Sequence, residues 1–142
     1  MITQNVDGLH QKAGSKNVLE LHGSIHRNYC EFCKREYDLD FILKSEGIPR
    51  CECGGIVKPD VVLYEEPLNN EVLSLSVDHI QKADILIIGG TSLVVYPAAG
   101  LINYFNGSQL VLINKSETPY DNLASLVINE AIGETLEQIE IV

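Results

Sequence analysis

Positive charge is scarce in this chain. Ten lysines and arginines stand against 20 aspartates and glutamates over 142 residues, a formal net charge of −10 at pH 7. A nucleic-acid surface needs a basic stripe, and this composition excludes one. Long apolar runs are missing too. None approaches the ~20 residues of a membrane-spanning helix, so no membrane partner is expected. There is no internal repeat and no low-complexity segment. The chain opens Met1-Ile2-Thr3-Gln4, without the basic-then-apolar pattern of a secretory signal. A reducing, cytoplasmic setting is therefore expected, which disfavours disulfides. The acidic balance reads as a solubility device, with attraction of basic peptides as the other reading. A hydrophobic content of 45% suffices for the packed core of one domain carrying a small inserted module.

Cysteine is equally sparse, and its placement is the strongest local signal. The four cysteines fall in two close pairs, Cys30-Glu31-Phe32-Cys33 and Cys51-Glu52-Cys53, with 17 residues between them. Two knuckles joined by a loop supply the four converging donors of a tetrahedral zinc site. The second pair is one residue short of the usual C-x2-C, and Gly54-Gly55 follows at once, suited to the tighter turn. Four thiolates leave no open coordination position. The metal is therefore expected to be structural, with the chemistry elsewhere.

The remaining pattern predicts an α/β fold. Met1-Ile2 reads as the end of a strand. Asp7 is placed to cap a short helix over 8–13, and 18–21 reads as a strand ending at His22-Gly23. Residues 25–30 enter the cysteine module extended. Asp38 is placed to cap a helix running to Ser45, with Leu39, Ile42 and Leu43 inward. An extended return covers 59–64. Asn70 is expected to cap a helix to Lys82. Residues 84–88 read as a strand buried on both faces, followed by the turn Gly89-Gly90-Thr91-Ser92. A helix from Pro97 to about Asn106, strands over 109–113 and 126–128, and a helix over 132–139 complete the series. Short connections in this order predict a partial Rossmann-like parallel sheet with helices on both faces, formed by 1–27 and 58–142, with 28–57 as the inserted zinc module.

Four places can carry chemistry. The glycine-rich turn at Gly90 follows a strand, where open α/β sheets bind ligands. It is neither G-x-G-x-x-G nor a P-loop, and an ordinary strand-to-helix turn stays open. Asn114 follows the next strand and suits either a ribose hydroxyl or a turn. His22 ends a strand beside Gly23, which leaves space for a substrate, and a histidine can act as a base near neutral pH. His26 lies four residues on, but Gly23 argues against a helical metal pair. Gln4, Asn5, Asp7 and His10 share a polar turn that reads either as pocket lining or as caps.

In order, these stretches resemble the sirtuin family of NAD-dependent protein deacylases. The resemblance rests on Thr3-Gln4-Asn5-Val6-Asp7-Gly8-Leu9-His10, Glu20-Leu21-His22-Gly23-Ser24 and the two cysteine pairs. It continues through Pro59-Asp60-Val61-Val62, then Gly90-Thr91-Ser92-Leu93 with Val95-Tyr96-Pro97-Ala98-Ala99, and Ile113-Asn114. It implies NAD as cofactor and His22 as general base toward a ribose hydroxyl. Asn5 would position ribose and water, Asp7 would face the nicotinamide, and Gln4 would lie against the ribose. Gly90, Thr91, Ser92, Asn114 and Lys115 would hold the adenosine half, with Ile132 at the adenine. Zinc would sit on Cys30, Cys33, Cys51 and Cys53. An acyl-lysine peptide would add as a strand between Leu63–Glu66 and Val94–Tyr96, touching Val62, Leu63, Glu65, Glu66, Val94 and Tyr96. The acyl oxygen would attack the ribose carbon as nicotinamide leaves, ending in free lysine and O-acyl-ADP-ribose.

Two departures from the family pattern shape the expectations. Glu65 stands where the family usually has glycine, adding a charge beside the peptide. The family's G-A-G-x-S phosphate loop and I-P-D-F-R segment have no counterpart in these residues. The alternative expectation is therefore a truncated, catalytically inactive remnant that binds NAD poorly. Such a remnant would be a zinc-stabilised module that binds a partner or forms a homo-oligomer through an exposed sheet edge.

Overall fold

The computed structural model describes residues 1–140 and divides into two compact units, residues 1–73 and 74–142. The first unit is built around one long strand. Strands β1 (Ile2–Thr3) and β2 (Leu19–Glu20) pair in parallel, and helix α1 (Leu9–Lys12) lies between them in the chain. Strand β3 (Gly23–Cys30) then pairs antiparallel with both β4 (Glu36–Tyr37) and β5 (Val57–Val61). This antiparallel β4-β3-β5 sheet carries the cysteine knuckles.

The pairing of β3 with β5 breaks between Ser24 and Asn28, because Ser24 faces Asp60 while Asn28 faces Pro59. Pro59 has no N–H to give the ladder, and prolines inside sheets sit at such irregularities. The bulged residues Ile25, His26 and Arg27 turn their bonding elsewhere. Ile25 N–H donates to Val6 O at 3.0 Å, and the buried Asn28 closes the bulge through Nδ2 to Ile25 O at 3.1 Å.

Helix α2 (Leu39–Lys44) starts where Asp38 Oδ1 accepts the Phe41 amide at 2.8 Å, as the sequence predicts. Ile42 packs on Cys30, Cys51 and Val57 as expected, but Leu43 is corrected: it is 72% exposed, and Phe41 packs inward beside Ile42. Two further expectations shift. Strand β5 stops at Val61, and 63–66 form a turn closed by Glu66 N–H on Leu63 O at 3.1 Å. Helix α3 (Asn70–Gln81) is capped by Asn69, whose Oδ1 accepts the Glu71 and Val72 amides, and not by Asn70.

In the second unit three parallel strands lie in the order β6 (Ile85–Gly89), β7 (Gln109–Ile113), β8 (Leu126–Ile128). Both β7 and β8 fall where the sequence predicts. Leu93, Ile102, Leu110 and Leu112 form the core, with Leu86, Ile88, Phe105 and Val127 packed against it. Strand β6 is not buried on both faces: Ile85 is 58% and Ile87 52% exposed. Its apolar run hides a period of two, because at the sheet edge only Leu86 and Ile88 reach the core. The helix expected from Pro97 is a 3-10 helix over Ala98–Tyr104, and the last helix, α4, covers Ile132–Glu137. No helix among the described residues is long and apolar enough to cross a membrane.

Candidate functional site

In the first unit, the polar turn after β1 lies along the start of β3. Leu21 N–H donates to Thr3 O, and His22 Nδ1 lies 3.1 Å from Gln4 O. A carbonyl can only accept, so Nδ1 carries the proton and Nε2 of the neutral ring keeps its lone pair. His22 is thus oriented and set in one tautomer by the backbone of the predicted NAD-contacting segment. Asn5 N–H donates to Thr3 Oγ1 at 3.1 Å, and Asp7 Oδ1 accepts the Leu9 amide at 3.0 Å. Asp7 therefore holds the entry to α1, while Gly8 occupies the cap position.

One expectation for this segment is corrected. Gly23 leaves no room for a substrate: a Cβ there would stand 1.8 Å from Asp60 O. The space belongs to the β3–β5 ladder. His26, which sequence reasoning left without a role, binds Asp7 O through Nε2 at 3.0 Å and packs on Gly8. With His22 on Gln4 and His26 on Asp7, the two histidines clasp the same turn and do not form a metal pair. The bulge that aims His26 at Asp7 was invisible as a pattern, though Pro59 was its available signal.

Arg27, also on the bulge, ties this region together. It donates to Glu20 Oε2 at 2.7 Å and to Asp60 Oδ2 at 2.9 Å, while Gln11 Nε2 donates to Glu20 Oε1. The Glu20 side chain is only 8% exposed. Strands on either side of His22 and Gly23 are thereby pinned to one guanidinium.

The four cysteines meet as predicted. All four Sγ atoms lie within 4.8 Å of one another, with Cys30–Cys53 and Cys33–Cys51 each at 3.5 Å. Sulfurs 2.3 Å from a tetrahedral zinc stand about 3.8 Å apart, so the quartet fits that ion. Amides of Cys33 and Cys53 point at Cys30 and Cys51 Sγ at 3.5 Å, the bonds thiolates need. A Cβ on Gly55 would lie 2.6 Å from Cys30 Sγ, so only glycine admits the sulfur after the shortened knuckle. The Tyr37 hydroxyl and the Cys53 amide bring the Cys51 thiol down to about 6. The Gly55 amide pulls Cys53 down, but Cys51, burial and the other thiols outweigh it and push it up to about 12.

In the second unit the predicted nucleotide residues gather at the carboxyl ends of the parallel strands. Gly90 N–H donates to Ile113 O and Asn114 N–H to Ile128 O, both at 3.0 Å. Ile132 lies over Gly89, where a Cβ would meet its Cδ1 at 2.2 Å. Gly90, Asn114 and Ile132 therefore share one end of the sheet, the ligand-binding end of open α/β folds. Asn114 Nδ2 donates to Ser116 O at 2.8 Å, a turn-forming bond. Thr91 Oγ1 accepts the Leu93 amide, and Ser92 and Lys115 are exposed. Of the predicted peptide contacts, Val62 N–H is taken by His22 O. Leu63, Glu65 and Glu66 sit in the 63–66 turn, with Glu65 at φ +70°. Val94 lies in irregular backbone and Tyr96 in a turn, both exposed, and neither stretch is a strand.

A sequence profile of the Sir2 family matches residues 1–97. A relative from Clostridium acetobutylicum, an NAD-dependent protein deacetylase, is 64% identical over 98% of this chain and 58% of its own length. The protein of the same name from Clostridium perfringens is 66% identical over the same shares. A solved structure described as Sir2-p53 peptide-NAD+ superposes with a TM-score of 0.90 at 40% identity, covering 96% of this chain and 60% of that one. Another, Sir2 bound to acetylated peptide, gives 0.90 at 39%. The chain thus spans about 58% of the length of the relatives it matches.

Proposed function

The chain belongs to the Sir2 family, and from that premise we propose that it serves NAD-dependent removal of acyl groups from protein lysines. The observation that carries the reading is the bond from His22 Nδ1 to Gln4 O. It leaves Nε2 as a proton acceptor on the segment that resembles the family's catalytic histidine. NAD, when bound, supplies the ADP-ribose that accepts the acyl group as nicotinamide departs. His22 takes the proton of a ribose hydroxyl. Gln4, Asn5 and Asp7 orient the ribose and nicotinamide side, held by β1, α1 and the His26 clasp. Gly90, Thr91, Ser92, Asn114, Lys115 and Ile132 take the adenosine side. Val62, Leu63, Glu65, Glu66, Val94 and Tyr96 receive the acyl-lysine peptide. Residues 28–57 act as the structural zinc module of an NAD-binding domain made by 1–27 and 58–142.

The test is an assay of the chain with NAD and an acetyl-lysine peptide, scored by nicotinamide release and by the mass of the peptide. His22→Ala is expected to lower turnover by at least about 100-fold, the usual contribution of a positioned base. Undiminished turnover in that variant would refute the assignment.

The exposed Ile85 and Ile87 on edge strand β6 support a second reading, a zinc-stabilised module that pairs with another copy through that edge. Concentration-dependent dimers that Ile87→Lys abolishes, with neither turnover nor ADP-ribose binding, would favour it. A monomer at all concentrations would remove it.

A further inference from the structure

The metal site has a polar neighbour that its four cysteines do not explain. Tyr37 lies on the short strand β4, opposite Asn28 of β3. Its ring stacks on Phe41 at 4.2 Å and packs against Cys30, Cys51 and Val57. Its hydroxyl is buried and makes no hydrogen bond of ordinary geometry. A buried donor without an acceptor costs about 1–3 kcal/mol, and a position that needed only an apolar ring would be filled by phenylalanine at less cost. The groups that act on it are Cys51 and Arg35, and the guanidinium can only donate. Arg35, the charged group nearby, is engaged by Glu52. What the hydroxyl lacks is a strong acceptor, and a metal-bound Cys51 is held as a thiolate.

We propose that Tyr37 is a positioning residue for the metal: its hydroxyl donates to Cys51 Sγ when a zinc ion sits in the quartet. The bond complements the one from the Cys53 amide, so Cys51 receives two donors. Groups that bond to metal ligands fix their orientation and tune their basicity, and their loss typically costs 10–100-fold in affinity. Tyr37 thus couples strand β4 to metal retention, although it ligates nothing. The inference rests on the quartet holding a metal.

The zinc-loaded chain and its Tyr37→Phe variant are compared in a competition with a chromophoric chelator. The variant is expected to hold zinc about tenfold less tightly while keeping the same far-ultraviolet circular dichroism. In the cobalt-substituted proteins the sulfur-to-metal charge-transfer band of the variant shifts to lower energy, because an unbonded thiolate is the stronger electron donor. Equal affinity with an unchanged band overturns the proposal while leaving the metal site standing. An unmutated chain that binds no zinc overturns both. Should Tyr37→Phe fail to fold, the unmutated chain loaded with cadmium-113 decides the matter. Scalar coupling from the Tyr37 hydroxyl proton to cadmium supports the bond, and coupling confined to the cysteine β protons overturns it.

Discussion

Gly23 and Asp60 are in contact through bare backbone: a Cβ on Gly23 would fall 1.8 Å from the Asp60 carbonyl oxygen. Gly23 also has φ +78°, a left-handed conformation that side chains resist. The residue after the proposed base is therefore fixed by the ladder between β3 and β5. Gly23→Ala is expected to destabilise the first unit by about 3 kcal/mol or more, combining strain with a clash against rigid backbone. A thermal melt should show a fall in Tm on the order of 10 °C. A shift within 2 °C of the parent would mean that the strands are not held together as described.

Metal removal should act on the first unit. Its cysteine cluster packs only Cys30, Cys51 and Val57 at full burial, with Tyr37, Phe41 and Ile42 partly buried around them. So small an apolar core cannot hold β3, β4, α2 and β5 by itself, and metal binding there is folding energy. Chelation is expected to expose the amides of 28–57 to rapid hydrogen exchange while β6, β7 and β8 keep their protection. Unchanged protection of 28–57 in zinc-free protein would contradict this.

The sequence made legible whatever depends on short-range spacing. The two cysteine knuckles, the Asp38 cap, β7 and β8 were all readable, because each is set by neighbours within a few residues. The β3 bulge was not, since it arises where Pro59 of one strand meets Asn28 of another. The one-sided burial of β6 was hidden as well. An all-apolar run such as Ile85-Leu86-Ile87-Ile88 carries no record of which face is covered. At the site, the family resemblance singled out His22, but only the fold shows that Gln4 sets its tautomer and that His26 clasps Asp7. Those links are backbone carbonyls, which no side-chain motif records.

Arg27 should be worth more than a surface cation. It joins Glu20 and Asp60, and the Glu20 carboxylate it faces is nearly buried. Arg27→Ala leaves that carboxylate with Gln11 as its remaining side-chain partner. The expected cost is about 2 kcal/mol, more than the usual cost of an exposed pair. In a denaturant double-mutant cycle with Glu20→Gln, the second change should be nearly silent once the first is made. Full additivity would show that the two groups act independently.

The turn at 63–66 should respond to acid in one direction only. Glu66 accepts the Leu63 amide through Oε2 at 2.9 Å and pairs through Oε1 with Lys58. The amide first, and the ammonium second, favour the ionised carboxylate and hold its pKa below the ordinary value of 4.5. A group depressed on folding stabilises the folded form above its unfolded pKa, and that stabilisation is lost as pH falls through the folded one. The contribution is therefore intact above about pH 4.5 and disappears below it. Protonation takes the acceptor from Leu63 N–H and the counter-charge from Lys58, and the turn that holds Glu65 at φ +70° loosens. A carboxyl-carbon titration should place the Glu66 midpoint below 4.5, and Lys58→Met should move it upward. Glu66→Gln should make the Leu63 amide equally protected on both sides of the transition. A midpoint at or above 4.5 in the unmutated chain would show that the carboxylate is not held as the geometry indicates.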